Sequence, residues 1–138
     1  DAEARQGLQD LVCYRGFQAR VDGIKNALLA FLIEQKKAGR TVVAYGAAAK
    51  GNTLLNYAGV RPDLLSFVCD AAVAKQNKYM PGSHIPILAP AALREKQPDY
   101  VIILPWNLAA EVAYEHAYIK EWGGCFVVAI PEIRILGI

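Results

Sequence analysis

The sequence predicts a single α/β domain on a mostly parallel, Rossmann-like sheet of five or six strands, with helices on both faces and an N-terminal helical extension. Strand-length apolar runs alternate with helix-length segments, and the connections are long enough for crossovers. A glycine-containing turn joins the first such run to a helical pattern. The 138 residues suffice for one domain with a real core and are too few for two.

The first third of the chain has a helical pattern. From Gly7 to about Gly39, apolar residues recur at three- and four-residue steps with charged residues between them. Gly16 and Gly23 weaken the run, so a break is possible near either. Gly39 follows two lysines and suits a left-handed helix cap. We expect this segment, residues 1–39, to pack on the domain formed by the rest.

Residues 40–138 alternate between strand and helix patterns. The fourth apolar run is continuous, which is typical of a strand buried on both faces. The expected strands are Thr41–Tyr45, Leu64–Cys69, His84–Leu88, Tyr100–Leu104 and Cys125–Ile130, with a possible sixth at Ile133–Ile138. The expected helices run through Asn52–Tyr57, from Pro90 to Lys96, and from an Asn107 cap to about Trp122, where Gly123 and Gly124 end the last one.

Composition excludes several classes of protein. Hydrophobic residues make up 54% and charged residues 20%, which is too apolar for a disordered chain. The net charge of +2 lacks the basic excess of nucleic-acid-binding proteins. The apolar runs fall far below the ~20 residues of a membrane span, and the N-terminus has no signal pattern. We therefore expect neither a nucleic-acid nor a membrane partner, and a cytoplasmic location.

The cysteines, Cys13, Cys69 and Cys125, are widely spaced and include no C-x-x-C pair. An odd, scattered set completes neither a disulfide framework nor a four-cysteine zinc site. Free thiols in a reducing compartment are the expected state.

The strongest local signal is the turn from Gly46 to Gly51. As a dinucleotide fingerprint it is G-x-A-x-x-G, with Ala48 where a glycine normally lets the backbone approach a pyrophosphate. As a P-loop it fails, because Asn52 stands in the position of the lysine. The helix N-terminus and Lys50 nevertheless suit a phosphate or diphosphate. The alternative is a tight turn whose small residues only allow close packing. The residues that would bind are Gly46, Ala47, Lys50, Gly51 and Asn52.

Polar residues follow the second strand. Asp70 comes 24 residues after Gly46, where dinucleotide folds place the carboxylate that binds a ribose, but it could equally cap the following turn. Lys75 begins a basic loop that either faces a ligand or is simply solvated. His84 opens the third strand, and a lone histidine there is more often a structural donor than a catalytic base.

Trp106 and Asn107 follow the fourth strand. An exposed tryptophan at that edge can stack on a base or sugar ring, whereas Asn107 is adequately explained as a helix cap. The two histidines and three cysteines show no nucleophile–base pair and no metal-ligand spacing. Binding is therefore favoured over independent catalysis.

One stretch, Val43–Tyr57, closely resembles the C-terminal domain of S-adenosylmethionine-dependent sugar C-methyltransferases, which methylate a ring carbon of nucleotide-linked deoxysugars. Further stretches match in order at Val68–Asp70, Lys75–Ile87 and Pro98–Leu108. The match runs from about residue 7 to residue 134, and the G-A-A-A-K-G and L-P-W-N strings together make it specific.

The resemblance implies a longer enzyme with a cysteine-rich zinc-binding segment, a methyltransferase domain that binds S-adenosylmethionine, and this Rossmann-like domain. It assigns the methyl donor, the zinc and the main catalytic base to the other parts. This domain would hold a dTDP-linked or similar keto-sugar, which is deprotonated next to its carbonyl so that the enolate carbon attacks the methyl group. The chain is therefore expected to be a fragment that binds no cofactor and is catalytically inactive alone.

Loops that follow the first, second and fourth strands meet at one edge of a Rossmann sheet. Because this chain has Ala71–Val73 where the family more often has polar or proline residues, nothing between Asp70 and Lys75 is carried over. We expect the turn and Lys50 to hold phosphate. The expected rim residues are Asp70, Lys75, Tyr79, His84, Trp106 and Asn107.

Two alternatives remain open. The G-x-A-x-x-G turn and Asp70 also permit a stand-alone module that binds NAD or coenzyme A. A purely structural docking domain is the other alternative, in which the N-terminal helix packs on a methyltransferase core or a second copy and the loops bind no ligand.

Overall fold

The computed structural model describes residues 2–136, with side chains from residue 18 onward. The helices are α1 (Ala2–Lys37), α2 (Ala49–Ala58), α3 (Ala91–Lys96) and α4 (Ala109–Glu115), and 3-10 helices cover Trp106–Leu108 and Ala117–Trp122. The strands are β1 (Val42–Tyr45), β2 (Val68–Cys69), β3 (Ile87–Leu88), β4 (Tyr100–Ile103), β5 (Cys125–Val128) and β6 (Arg134–Ile135). No helix within the described range is both long enough and apolar enough to cross a membrane.

The six strands form one sheet in the order β3-β2-β1-β4-β5-β6. All neighbours are parallel except β5 and β6, which are antiparallel. The prediction of a mostly parallel Rossmann-like sheet is therefore confirmed. Strands β2 and β3 lie on one side of β1, and strands β4, β5 and β6 lie on the other. The direction in which successive strands are added to the sheet therefore reverses between β1 and β4. This reversal is the topological switch point, where ligands bind in open α/β sheets.

Apolar clusters cover both faces of the sheet, which explains why β1 and β4 read as continuous apolar runs. On one face α1 and α2 pack on alternate strand residues; this cluster includes Leu28, Leu32, Val42, Ala44, Leu55 and Ile102. On the other face α3 and the segment around α4 pack on the intervening residues; this cluster includes Val43, Leu93, Val101, Ile119 and Phe126.

Helix α1 is continuous through Gly16 and Gly23, so no break occurs at either glycine. Its second half packs on the sheet through Leu28, Phe31 and Leu32. The apolar residues predicted for its first half, up to and including Phe17, lie outside the described side chains. The helix ends as the sequence indicated, because Gly39 adopts φ +75 and its N–H donates to the Lys36 carbonyl at 3.1 Å.

The third strand is shorter than expected. It begins at Ile87, and His84 lies in a turn with φ +57 rather than at the start of the strand. The cause is a pairing that the local pattern does not reveal. The chain before the turn runs antiparallel to the chain after it, with Asn77 N–H donating to the Ile87 carbonyl at 2.8 Å and Met80 N–H to the Ile85 carbonyl at 2.8 Å.

The expected helix from Asn107 to Trp122 is interrupted. Asn107 lies inside the first 3-10 turn, and the N-cap of α4 is Leu108 with no side-chain cap, so the capping role given to Asn107 is wrong. The helix breaks again at His116, whose φ of −112 and ψ of +30 depart from helical values. Gly123, with φ +82, ends the segment as predicted.

His116 is buried because its ring packs between Tyr45, with the ring centroids 4.6 Å apart, and Tyr118. Its Nδ1 lies 2.9 Å from the Tyr118 hydroxyl, whereas its Nε2 has no hydrogen-bond partner among the described residues. Burial lowers the pKa of His116, and the nearby Glu115 carboxylate opposes this only partly. The imidazole is therefore neutral in the folded protein near neutral pH.

The cysteines within the described side chains, Cys69 and Cys125, are free, in agreement with the sequence, while the side chain of Cys13 lies outside them. Cys69 is fully buried, and burial raises the pKa of its thiol to about 12, aided by the Asp70 charge. The Cys69 thiol is therefore protonated and unreactive in the folded chain.

The burial of His116 predicts a loss of stability in acid. The pKa in the folded state lies below the ordinary value of 6.5, so the unfolded state binds more protons as the pH falls through this window. The free energy of unfolding, measured by urea denaturation between about pH 7.5 and pH 5, should fall with decreasing pH. This fall should be shallower in His116→Gln.

The other histidine supplies the matched control. His84 is exposed, so His84→Gln should keep the pH dependence of the wild-type chain. An unchanged slope in His116→Gln, or an equal loss of slope in both variants, would contradict the assignment.

Candidate functional site

An open crevice of about 320 Å³ lies at the switch point, between the carboxyl ends of β1 and β4. We call it the switch-point crevice. One wall is the start of α2 and the other is the segment after β4. Its lining residues are Ala48, Ala49, Lys50, Leu104, Pro105, Trp106 and Asn107.

Two glycines allow the walls to approach each other. A Cβ atom on Gly46, whose φ is +91, would lie 2.5 Å from Cδ of Pro105, and one on Gly51 would lie 2.6 Å from Cβ of Leu104. Both contacts are closer than real Cβ atoms show, so only glycine fits at these positions. The sequence also allowed a tight turn whose small residues serve only close packing. Close packing explains why glycine stands at both positions.

The N-terminus of α2 opens into the crevice without a side-chain cap. Its N-cap residue, Ala48, is extended, and the first N–H bonded back into the helix is that of Asn52, which donates to the Ala48 carbonyl at 2.9 Å. The N–H groups of Ala49, Lys50 and Gly51 thus have no hydrogen-bond partner among the described residues. Three donors and the positive end of the helix dipole remain available to an anion.

Lys50 and Trp106 face each other across the crevice. The Lys50 ammonium lies 5.7 Å from the centroid of the Trp106 ring, which is a cation–π distance. Lys50 is exposed and Trp106 is partly buried, while the exposed Asn107 lines the same wall. The structure therefore brings together three of the expected site residues from two separate segments, the first turn of α2 and the segment after β4. It also buries the amide oxygen of Asn52, one turn into α2, without a partner among the described residues.

Asp70 and Lys75 lie on the opposite, β2 side of the turn. The Asp70 carboxylate accepts hydrogen bonds from the N–H groups of Ala47 and Ala72, both at 2.8 Å. The Lys75 ammonium donates to the Ala47 carbonyl at 3.1 Å and lies 3.9 Å from Oδ2 of Asp70. Asp70 thus caps the turn after its strand, which was one of the two roles expected for it.

Tyr79 and His84 are not brought to the crevice. Tyr79 is exposed and pairs with Pro86 on the outer side of β3. The turn that contains His84 precedes β3, and Asn56, near the end of α2, donates to the Pro81 carbonyl in the same turn at 2.8 Å. The beginnings of the strands and the end of α2 lie at the amino edge of the sheet, whereas Lys50 and Trp106 lie at the carboxyl edge. His84 is therefore not grouped with Lys50 and Trp106, contrary to expectation.

No group of three or more His, Cys, Asp or Glu side chains among the described residues is placed to hold a metal ion. Leu104 lies outside every predicted site segment, and Pro105 belongs to the predicted Pro105–Asn107 segment but had no role there; both shape the crevice through their contacts with the two glycines. Those contacts depend on the pairing of β1 with β4, and no local pattern signals them.

Comparisons with known proteins agree on the family. Residues 1–131 match a family described as the C-methyltransferase C-terminal domain. The chain is 36% identical over 134 residues to C-methyltransferase NovU of Streptomyces niveus, an alignment that covers 97% of this chain and 32% of that protein. The chain thus spans about a third of the length of this curated relative.

Among solved structures, the chain is similar to UDP-D-quinovosamine 4-dehydrogenase from Vibrio fischeri. The TM-score is 0.51 at 16% identity, with 72% of this chain and 94% of that chain covered. At this level of identity the likeness concerns the fold alone.

The close approach at Gly51 predicts that Gly51→Ala destabilises the chain by about 1–3 kcal/mol, because the added methyl group overpacks against Leu104. Gly23→Ala is the matched control, since a Cβ there meets nothing within 4 Å and the residue lies within a helix. That variant should be stabilised by roughly 0.5–1 kcal/mol. Urea denaturation of both variants provides the measurement, and a Gly51→Ala chain as stable as wild type would refute the packing argument.

Proposed function

Because the chain belongs to the family of C-methyltransferase C-terminal domains, we propose that it binds the nucleotide-linked keto-sugar methylated by a longer enzyme of this family. The observation that carries the proposal is the switch-point crevice, where the uncapped N-terminus of α2 and Lys50 face Trp106. The nucleotide would be of the dTDP type.

The diphosphate would bind at the start of α2. Helix N-termini are common anion sites, because their unpaired N–H groups and the helix dipole both favour negative charge. Here the N–H groups of Ala49, Lys50 and Gly51 are available among the described residues, and the Lys50 ammonium stands at the same opening. Ala48 in the second fingerprint position would hold the phosphate slightly farther from the backbone than a glycine does. The cost of desolvating a diphosphate is offset by these several donors acting together.

The nucleoside would lie on the β4 side, against Trp106 and Asn107. The Trp106 ring offers a face for stacking, and the exposed Asn107 offers amide donors and acceptors. The volume of about 320 Å³ is at the lower end of the range of small-molecule sites, roughly 300–1,000 Å³. This size suits a nucleotide whose attached sugar continues out of the crevice.

Two observations on the described residues support placing the other groups of such an enzyme elsewhere. The described residues contain no cluster of metal-ligating side chains, and the carboxylate that would bind a cofactor ribose, Asp70, is already bonded to Ala47 and Ala72. We therefore propose that S-adenosylmethionine and zinc are bound by other parts of the enzyme. In this proposal the present chain binds and orients the acceptor and transfers no methyl group by itself.

The proposal assigns Lys50 a charge-dependent role. Lys50→Gln should weaken binding of a dTDP-sugar roughly tenfold, because one charge-assisted contact to phosphate is lost. Titration of the ¹⁵N-labelled chain by NMR gives both the affinity and the location of binding. The largest shifts in the wild-type chain are expected at the amides of Ala49, Lys50 and Gly51.

Lys96→Gln is the matched control, because Lys96 is exposed at the end of α3 and the substitution removes the same charge. Its affinity should equal that of wild type. Equal affinities for all three chains would refute the role of Lys50. A complete absence of shifts at high concentrations of dTDP-sugar would instead favour the docking-domain alternative.

A further inference from the structure

We propose that Asp70 and Lys75 close the β2 side of the switch-point crevice, so that the site accepts one nucleoside and lacks the second nucleoside subsite of dinucleotide-binding folds. This inference rests on the proposed function and adds to it a rule of selectivity. It concerns the side of the turn away from Trp106.

A dinucleotide needs both sides of the switch point. In dinucleotide-binding sheets the diphosphate sits on the helix N-terminus, one nucleoside lies on each side, and a carboxylate after the second strand binds a ribose. Asp70 occupies that position in this chain, directly after β2. Whether the second subsite exists therefore depends on where the Asp70 carboxylate points and on what surrounds it.

The Asp70 carboxylate is bonded to the backbone of two segments, the turn after β1 and its own loop. One oxygen accepts from Ala47 N–H and the other from Ala72 N–H, both at 2.8 Å, and the side chain is only 15% exposed. These bonds tie the turn after β1 to the loop after β2. A ribose that approached from outside would meet a carboxylate that both oxygens hold to the backbone, and it could use only the remaining lone pairs in the orientation that these bonds fix.

Lys75 also bonds the loop after β2 to the turn after β1. Its ammonium donates to the Ala47 carbonyl at 3.1 Å, so the N–H and the carbonyl of Ala47 are both bonded to residues of the loop after β2. Gln76 reinforces this loop, because its side-chain amide donates to the Asp70 carbonyl at 2.9 Å. The loop thus lies against the β2 side of the turn, where a second nucleoside would have to sit.

The β4 side stays open by contrast. None of the loop residues Asp70, Lys75 and Gln76 lines the crevice, which is bounded by α2 and by the segment after β4. A ligand therefore enters on one side only. Its second half, whether sugar or nucleoside, leaves the crevice instead of running along the sheet edge toward β2.

The test compares two diphosphate diesters of equal charge by NMR titration of the ¹⁵N-labelled chain. One is dTDP-glucose, and the other is the dinucleotide with thymidine at both ends of the diphosphate. In the wild-type chain the dinucleotide should bind no more tightly than dTDP-glucose, and neither ligand should shift the amides of Ala72 and Lys75. The readout is the ratio of the two dissociation constants, which cancels any general effect on anion binding.

Lys75→Ala should open the second subsite. Lys75 is half-exposed, so the variant is expected to fold, and the ratio should move at least fivefold in favour of the dinucleotide, with new shifts at Ala72. Asp70→Asn is a second variant that weakens the same closure and should move the ratio in the same direction. Lys78→Ala, an exposed lysine of the same loop, is the control and should leave the ratio unchanged.

Two results would overturn the closure. One is tighter binding of the dinucleotide by the wild-type chain, with shifts at Ala72 and Lys75. The other is an unchanged ratio in both variants. If the wild-type chain binds neither ligand, the proposed function fails, and the variants still decide the closure: newly gained dinucleotide binding supports it, and no gain overturns it.

Discussion

The close approach of the β1–α2 turn to the end of β4 is the constraint on which the site depends. Gly46 lies against Pro105 and Gly51 against Leu104, at distances where a Cβ atom would overlap its neighbour. This contact sets α2 close to β4 and aims its N-terminus into the gap between the two loops. The same contact places Lys50 opposite Trp106. The packing of the glycines and the anion binding that we propose are therefore compatible, since the packing creates the opening.

The two sides of the turn have different chemistry. Toward β4, the turn leaves N–H donors, an ammonium group and an aromatic ring available to a ligand. Toward β2, both polar groups of Ala47 are bonded to Asp70 and Lys75 within the protein. The crevice toward β4 and the bonded side toward β2 are therefore distinct, and the proposed ligand site uses only the β4 side. The asymmetry comes from the loop after β2 and not from the sheet.

Much of the fold could be predicted because the signals are local. The apolar runs of β1 and β4 reflect burial on both faces, and Gly39 and Gly123 end helices through left-handed backbone. The failures involve contacts distant in sequence or specific packing. His84 falls in a turn because the chain before it pairs with the chain after it, and the long helix breaks where the buried His116 packs on Tyr45. The grouping of Lys50 with Trp106 was predictable from topology, whereas the bonds of Asp70 and Lys75 to Ala47 depend on side-chain geometry.

A crystal structure of the chain, or of the longer enzyme proposed to contain it, with a bound dTDP-sugar is the most direct test of anion binding at the start of α2. We expect diphosphate oxygens within hydrogen-bond distance of the Ala49, Lys50 and Gly51 N–H groups, and the nucleoside on the Trp106 side. A diphosphate bound elsewhere, with the start of α2 covered by another part of the protein, would contradict this expectation.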